Sequence, residues 1–582
     1  MTFPSLDRQS PALAGPEGRA RVLNLADVIV LILIAAAAVL VVHGVQQMQR
    51  PLAALKLSPV TLDLARLPGY ALLTTLRMFA AILCSLLFTF VVGSLAAKSR
   101  KAALIVVPAL DILQSVPVLG FLTFTVSFFL NLFPGREMGA ECAAIFAVFT
   151  AQAWNMAFSF YQSLRTLPGD LDEACRLFGL SPWRRFLRLE LPFAMPGLIW
   201  NTMMSMSGGW FFVVASEAIT VGDKTVTLPG IGSWLAVAID ARDLKAVAWA
   251  VGAMAVVILL YDQLLFRPII AWADKFRFEQ TASTEAPRSW VYDLIRRTRL
   301  TRVLMSPLAW LGAAVAALEP PRLPRARVRL GARAAKALDD VWAVAVAILT
   351  VGAALIAARI LSKTLSLHDA GEALALGGLT LVRVLVLIAV ASVIWVPIGV
   401  WIGLRPAWAE RIQPLAQFLA AFPANVLFPA AVVVITALKL SPEWALAPLM
   451  VLGTQWYILF NVIAGASAIP SDLREVGAMF HMRSWQWWRQ LALPAIFPYY
   501  VTGAITASGG SWNASIVAEA VSWGRTHLEA HGLGAFIAKA TTAGDLPRVA
   551  LGVAVMSLFV IALNRSLWRP LYGLAERRLR LD

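Results

Sequence analysis

The sequence predicts an all-α polytopic membrane protein of two parallel six-helix repeats, with about 12 transmembrane helices. Its 582 residues are 59% apolar and only 14% charged, and its mean hydropathy is +0.72. This composition is too apolar for a soluble protein of this length. Apolar runs of about 18 residues, each long enough to cross a bilayer as a helix, recur along the chain. The second part of the sequence also repeats the pattern of the first.

The hydropathy pattern divides the chain into apolar runs separated by polar loops. The predicted spans lie near 24-45, 70-95, 104-131, 139-162, 195-220, 246-266, 341-360, 376-404, 410-438, 445-466, 497-520 and 548-566. The polar N-terminal stretch is too long for a removable signal peptide, so the first span is expected to stay in the protein.

Positive charge follows particular loops, although the net charge of +16 could by itself suggest a nucleic-acid partner. Residues 275–336 hold 13 Lys and Arg against four Asp and Glu. The positive-inside rule then places both termini, this linker and a basic loop near residues 173–192 in the cytoplasm. We predict a cytoplasmic tail at 1–23, a first repeat at 24–276, a basic cytoplasmic or interfacial linker at 277–338 and a second repeat at 339–582, which ends in a short basic tail.

An internal repeat relates the two halves of the chain. Arg77 recurs 306 positions later as Arg383, and farther along the spacing becomes 302. Pairs at the second spacing are Glu173 with Glu475, Leu191-Pro192 with Leu493-Pro494, Trp210 with Trp512, Glu217 with Glu519, and Gly230 and Gly232 with Gly532 and Gly534. Both copies of the basic loop need the same compartment, so the repeats are predicted to be parallel and to face one another across a pseudo-two-fold axis.

The basic loop reads "DEACRLFGLSPWRRFLRLELPFAMPG" from Asp172, and its weaker second copy reads "REVGAMFHMRSWQWWRQLALPAIFP" from Arg474. These segments resemble the EAA loop of permeases from binding-protein-dependent ABC importers. A short exposed helix with a Glu in its first turn could lie in a cleft of a soluble partner while its apolar residues fill that cleft. An ordinary basic loop held by positive-inside charge is the alternative.

The resemblance covers roughly 70–276 and 376–578. The segments "SGGWFFVVASEA" from Ser207 and "SGGSWNASIVAEA" from Ser508 resemble the branch that handles nitrate, sulfonates, taurine and related small solutes. The resemblance implies a type I importer-like fold in which two permease repeats are fused in one chain of a bacterial inner (cytoplasmic) membrane. It also implies two cytoplasmic ATPase subunits and a periplasmic or extracellular solute-binding protein as partners. The sequence has no "GxxxxGK[ST]" motif, so ATP and Mg²⁺ are expected on the partner subunits, with no cofactor bound by this chain and no enzyme activity of its own.

Residues of both loops are candidates for coupling to the ATPase. They are Glu173, Ala174, Leu177, Phe178 and Gly179 in the first loop, and Glu475, Val476 and His481 in the second. Val476 stands in place of Ala174, and His481 in place of Gly179. We therefore expect the two docking elements to be unequal.

Five residues are candidates for the transport pathway or its gate: Glu217, Glu519, Trp210, Trp512 and Asn513. An ionisable residue in an apolar span is costly unless it faces water, a partner or the conduit. A carboxylate at a helix end that reaches the interface would fit the two glutamates equally well. Membrane tryptophans most often serve packing or the interface. Asn513 breaks the symmetry of the repeats.

The predicted function is the transmembrane permease of an ABC importer, with a pathway for a small polar or anionic solute. A self-sufficient secondary transporter or channel with parallel repeats is the alternative, with Glu217 and Glu519 as its recurrent mid-membrane carboxylates. That alternative leaves the repeated cytoplasmic loop unexplained. A membrane enzyme would need a nucleophile, a base or a metal site. His527 and His531 have helical spacing, but the pattern offers no further ligand and predicts no metal site.

Overall fold

The computed structural model describes residues 60–221, 224–273, 289–297, 363–482 and 484–578, with scattered positions between 341 and 359. The predicted tail at 1–23, the span at 24-45 and most of the linker at 277–338 lie outside the described residues, and the span at 341-360 is described only in part. We call residues 60–273 the first half and residues 363–578 the second half.

The first half consists almost entirely of helices. Its elements are α1 Leu64–Lys98, α2 Arg100–Ser115, α3 Val118–Leu132, α4 Glu137–Arg165, α5 Gly169–Leu177, α6 Pro182–Arg185, α7 Leu191–Glu217, β1 Ala218–Val221, β2 Lys224–Thr227, α8 Ile231–Asp240 and α9 Leu244–Ala273. Helix α10, Trp290–Arg297, belongs to the predicted linker and packs against the last turns of α9.

The second half repeats this order. Its elements are α11 Leu367–Gly403, α12 Pro406–Ala421, α13 Phe428–Ala437, α14 Pro442–Leu452, α15 Gln455–Ser467, α16 Ser471–Met479, α17 Ser484–Trp487, α18 Leu493–Ala518, β3 Ala520–Trp523, β4 Thr526–Glu529, α19 Leu533–Ala543 and α20 Leu546–Ala575, whose last turns continue to Arg578.

The prediction of an all-α polytopic protein is confirmed, with one addition. Each half contains a two-stranded antiparallel hairpin between its long central helix and the following short helix. In the second half Ala520 pairs with Glu529, and the turn contains Gly524 at φ +56°. β1 lies against α19 and β3 against α8, so each hairpin contacts the short helix of the other half. The hairpins therefore lie together at one end of the molecule, as parallel repeats require.

Six helices among the described residues are long and apolar enough to cross a membrane, and a bent pair, α14 with α15, would make seven. The count of about 12 spans therefore stays a prediction. The structure corrects the predicted spans at 104-131 and 410-438, because each is divided into two helices. The breaks fall where Val116 and Phe422 precede a proline, at ψ 127° and 126°. Proline disfavours the helical conformation of the residue before it.

The broken segments connect the halves. α3 packs on α4 of its own half and also on α20 of the second half, while α12 packs on α15 of its own half and also on α7 of the first half. The contact between α3 and α20 is close at Gly120, where a Cβ would lie 2.4 Å from a methyl of Val553. Each half thus completes its own packing with a helix from the other, which favours a fixed pseudo-two-fold pairing.

Candidate coupling loops and hairpin anchors

The first coupling loop begins after α4 and has an exposed apolar tip. Helix α5 begins at Gly169, so Glu173 lies in its second turn and not in the first turn as predicted, where Asp170 and Asp172 lie instead. Glu173 is exposed, and Ala174 next to it is half-buried. Gly179 ends the helix at φ +62°, and the Leu180 amide donates to the Cys175 carbonyl. This left-handed cap is the one that glycine forms at lowest cost. It leaves Leu177 and Phe178 88% and 73% exposed.

The second coupling loop keeps this shape with a different sequence. Glu475 and Val476 are exposed on α16, and His481 occupies the left-handed position at φ +48°. The exposed tip here is formed by Met479 and Phe480, at 78% and 73%. Neither residue is among the coupling residues predicted from the sequence, although both lie 302 positions after Leu177 and Phe178.

Behind each loop the chain passes through a π-helical turn before the long central helix begins. The turns are Phe186–Glu190 and Trp488–Ala492, and both are followed by a Leu-Pro pair at the first turn of α7 or α18. The leucine amide of each pair donates to the carbonyl five residues earlier, Phe186 or Trp488, so the helix continues through the π-helical turn into the long central helix. The repeat therefore preserves backbone shape as well as residue type.

The far ends of α7 and α18 carry the predicted pathway residues Glu217 and Glu519. In the first half, the guanidinium of Arg77 on α1 contacts Glu217 at 2.6 Å and holds Glu141 of α4 through two hydrogen bonds of 2.6 Å. All three side chains are almost completely buried. A buried carboxylate needs such a partner, because desolvation otherwise disfavours its charge.

The buried carboxylate also caps the following short helix. Glu217 accepts a hydrogen bond of 2.7 Å from the Gly232 amide at the start of α8, while Thr74 accepts one of 3.0 Å from the Ile231 amide. The first amides of a helix have no intrahelical acceptors and favour negative charge. A Cβ at Gly230 would lie 2.3 Å from the Glu217 carboxyl group. Glycine is therefore required by this close approach.

The second half contains the equivalent cluster. Arg383 contacts Glu519 at 3.1 Å and Glu443 at 2.7 Å, and Glu519 accepts from the Gly534 and Ala535 amides at the start of α19. We call these two clusters the hairpin anchors. Glu141 and Glu443 are 302 positions apart, so the repeat itself contained the signal for this pair, which the sequence analysis missed.

The two anchors differ in exposure. The backbone carbonyl that accepts from the arginine belongs to Pro229 in the first half and to His531 in the second. His531 also contacts Glu443 through its ring and its backbone amide. The Glu443 side chain is 36% exposed, whereas that of Glu141 is 2% exposed. The first anchor is thus closed, and the second opens toward solvent.

The remaining predicted pathway residues have defined positions. Trp210 and Trp512 are buried in the cores of the first and second halves, where Trp210 packs on Tyr261 and Trp512 stacks on Phe559. Asn513 lies at the contact between the halves, where its side-chain oxygen accepts from the Val118 amide at 2.8 Å. Their roles in a pathway or gate stay a prediction, as do those of Glu217 and Glu519.

The family described as binding-protein-dependent transport system inner membrane component matches residues 89–266 and 395–580, once in each half. The chain belongs to this family. The tandem match confirms that it resembles a fused pair of permease repeats. The family assignment and the six long apolar helices among the described residues together indicate a multi-pass inner membrane protein.

Individual relatives of this inner membrane component are similar over part of the chain. The bicarbonate transport system permease protein CmpB of Synechococcus elongatus is 29% identical over 32% of the chain. The nitrate import permease protein NrtB of Leptolyngbya laminosa is 27% identical over 32% of it. The glycine betaine/proline betaine transport system permease protein ProW of Salmonella typhimurium is 32% identical over 26% of it. The alignments cover 64%, 63% and 42% of these relatives, so the chain spans less than two thirds of their length.

Proposed function

We propose that this chain forms the membrane pathway of an ABC importer for a small polar or anionic solute. Separate cytoplasmic ATPase subunits, two in number, drive it through the two coupling loops and carry the ATP and Mg²⁺. A periplasmic or extracellular solute-binding protein delivers the solute. Both termini and the basic linker lie on the cytoplasmic side in this proposal.

The exposed apolar tips of the two loops carry the proposal. Leu177 with Phe178 and Met479 with Phe480 project from equivalent short helices although each is a large apolar side chain. Burial of one such side chain in a partner contributes about 1.5–3 kcal/mol. A pair of tips with the same spacing favours two similar cytoplasmic partners. A loop that serves only to hold positive charge on one side needs no such tip.

The names of the relatives support the solute class. They refer to bicarbonate, nitrate and betaines, all of which are small polar or charged solutes. Proteoliposomes that contain this chain with its ATPase and binding-protein partners test the assignment. We expect uptake of one of bicarbonate, nitrate, a sulfonate or glycine betaine that requires both ATP and the binding protein. Uptake driven by an ion gradient without the ATPase would instead support the secondary transporter or channel.

Substitutions in the loops test the coupling assignment directly. Glu173→Ala is expected to reduce transport and solute-stimulated ATP hydrolysis more than Glu475→Ala, without loss of membrane insertion. Gln486→Ala, an exposed change on the second loop, is the control. Negligible effects of both glutamate substitutions in the purified complex would defeat the assignment.

Labelling tests the proposed orientation. A cysteine introduced near Arg327 in the basic linker is expected to react with a membrane-impermeant reagent only from the cytoplasmic side. Reaction only from outside would show that the topology is inverted.

A further inference from the structure

A chain of ion pairs runs from the first coupling loop to the end of α1. Asp172 on α5 contacts Arg185 on α6 at 2.5 Å, Arg185 contacts Glu190 at 3.1 Å, and Glu190 contacts Lys98 at 2.8 Å. We call these four residues the loop chain. It ends on the last residue of α1, the helix that carries Arg77 of the hairpin anchor about 30 Å away.

The central member of the loop chain is buried. The Glu190 side chain is only 4% exposed, while that of Lys98 is 43% exposed. A buried carboxylate that loses its cations is strongly disfavoured. Glu190 therefore holds Arg185 and Lys98 together, and a displacement of α5 that moves Arg185 also acts on the end of α1. The ring of Phe186, 5.0 Å below the Lys98 ammonium, adds a further contact to this position.

The second half lacks all four members. The equivalent positions hold Arg474, Trp487, Ala492 and Leu404. Ala492, at the position of Glu190, is completely buried, and a Cβ on Gly477 of α16 would lie 3.9 Å from the ring of Trp487, at the position of Arg185, so apolar contacts occupy these two positions. The joint replacement has a physical reason, since any one charge of the set is costly in a partly buried place without the others.

We propose that the loop chain is a positioning device that transmits the ATPase-driven movement of α5 to α1, and that it operates in the first half alone. This inference rests on the proposed function. Lys98, Arg185, Glu190 and Asp172 act as positioning residues and contact neither solute nor nucleotide. The second loop has no equivalent of the loop chain, because Arg474, Trp487, Ala492 and Leu404 stand at its four positions, and this difference makes the first half the principal route of coupling.

Lys98→Met in the reconstituted complex tests the proposal at the most exposed member of the chain, where the change is least damaging to folding. We expect the amount of solute transported per ATP hydrolysed to fall at least about fivefold, while the ATPase subunits remain bound. Lys98→Arg keeps the charge and is expected to retain the wild-type ratio.

Two control variants accompany Lys98→Met, and one of them tests the expected difference between the halves. Leu404→Met changes the equivalent position of the second half, and Arg188→Gln removes an exposed arginine from the same loop. Both are expected to leave transport per ATP unchanged. An equal loss from Leu404→Met would overturn the restriction to the first half.

The results separate this inference from the proposed function. If the wild-type complex shows no ATP-dependent uptake, the proposed function itself fails. If wild-type uptake depends on ATP but Lys98→Met keeps the wild-type ratio, only the loop chain is refuted. Loss of the ATPase subunits from the purified Lys98→Met complex would also refute it, because the chain would then hold the docking surface and transmit nothing.

Discussion

The carboxylate of Glu217 lies 2.6 Å from the guanidinium of Arg77, and both side chains are completely buried. The contact joins the end of α7 to α1 within one half of the molecule. Glu519 makes the corresponding contact with Arg383 in the other half. In this conformation each glutamate is therefore engaged with its own half and with the start of a short helix. This geometry favours a positioning role over a shared gate.

Glu217→Gln discriminates between these roles. We expect it to lower the free energy of unfolding by about 2 kcal/mol, because it removes a charged hydrogen bond while Glu141 still neutralises Arg77. Thermal unfolding in detergent measures the change, and Glu529→Gln, in an exposed ion pair with Lys539, is the control. Unchanged stability with an altered transport rate in Glu217→Gln would support the gate instead.

Alanine at Gly230 is expected to disrupt the hairpin anchor of the first half, and alanine at Gly532 that of the second half. The added Cβ would lie 2.3 Å from the carboxyl carbon of Glu217 or Glu519, so the carboxylate must leave its position under α8 or α19. Overpacking of this kind costs about 1–3 kcal/mol, and thermal unfolding measures it. Gly252→Ala, in open space within α9, should have no such effect. Unaltered stability of Gly230→Ala would contradict the close approach.

His481→Gly is expected to stabilise the second coupling loop. His481 has φ +48°, a left-handed conformation that costs a residue with a side chain about 1 kcal/mol. The first loop already has glycine at the equivalent position, Gly179, where φ is +62°. Gly179→Ala should therefore destabilise the protein by a similar amount. Gly169→Ala, at the start of α5 and without a close neighbour, serves as the control. Opposite signs for the two substitutions are required, and equal signs would refute the prediction.

Asn513→Ala is expected to loosen the contact between the halves. The substitution removes the acceptor of the Val118 amide, which lies at the start of the broken helix α3. Amide hydrogen exchange of the peptide that contains Val118 should become faster, while peptides within α4 keep their rates. Thr506→Ala is the control. Thr506 lies on the exposed side of α18, the helix that carries Asn513, and its hydroxyl donates to the Thr502 carbonyl of that helix. Equal exchange in wild type and Asn513→Ala would show that the hydrogen bond does not restrain α3.

The sequence alone predicted the features that depend on composition and spacing. Its apolar composition and the runs of helical length predicted a polytopic helical membrane protein. The repeat at 302 residues marked Glu217 with Glu519 and Glu173 with Glu475 as equivalent positions. The EAA-like segments indicated which loops project from the membrane, because four arginines within 20 residues cannot lie in a hydrocarbon core at low cost.

Tertiary structure decided what each of these positions contacts. Glu141 pairs with Arg77 across 64 residues, and this depends on how α1 and α4 pack rather than on any local pattern. α3, which begins after the break at Pro117, contacts α20 of the second half, and α12, which ends before the break at Pro423, contacts α7 of the first half. Hydropathy indicates only continuous apolar runs at both places. The fold also decides which buried positions hold a charge. Glu190 is buried between two cations in the first half, whereas the equivalent residue of the second half, Ala492, is buried and uncharged. A linear sequence states which groups are present, but the free energy of a buried charge depends on the neighbours that only the fold brings to it.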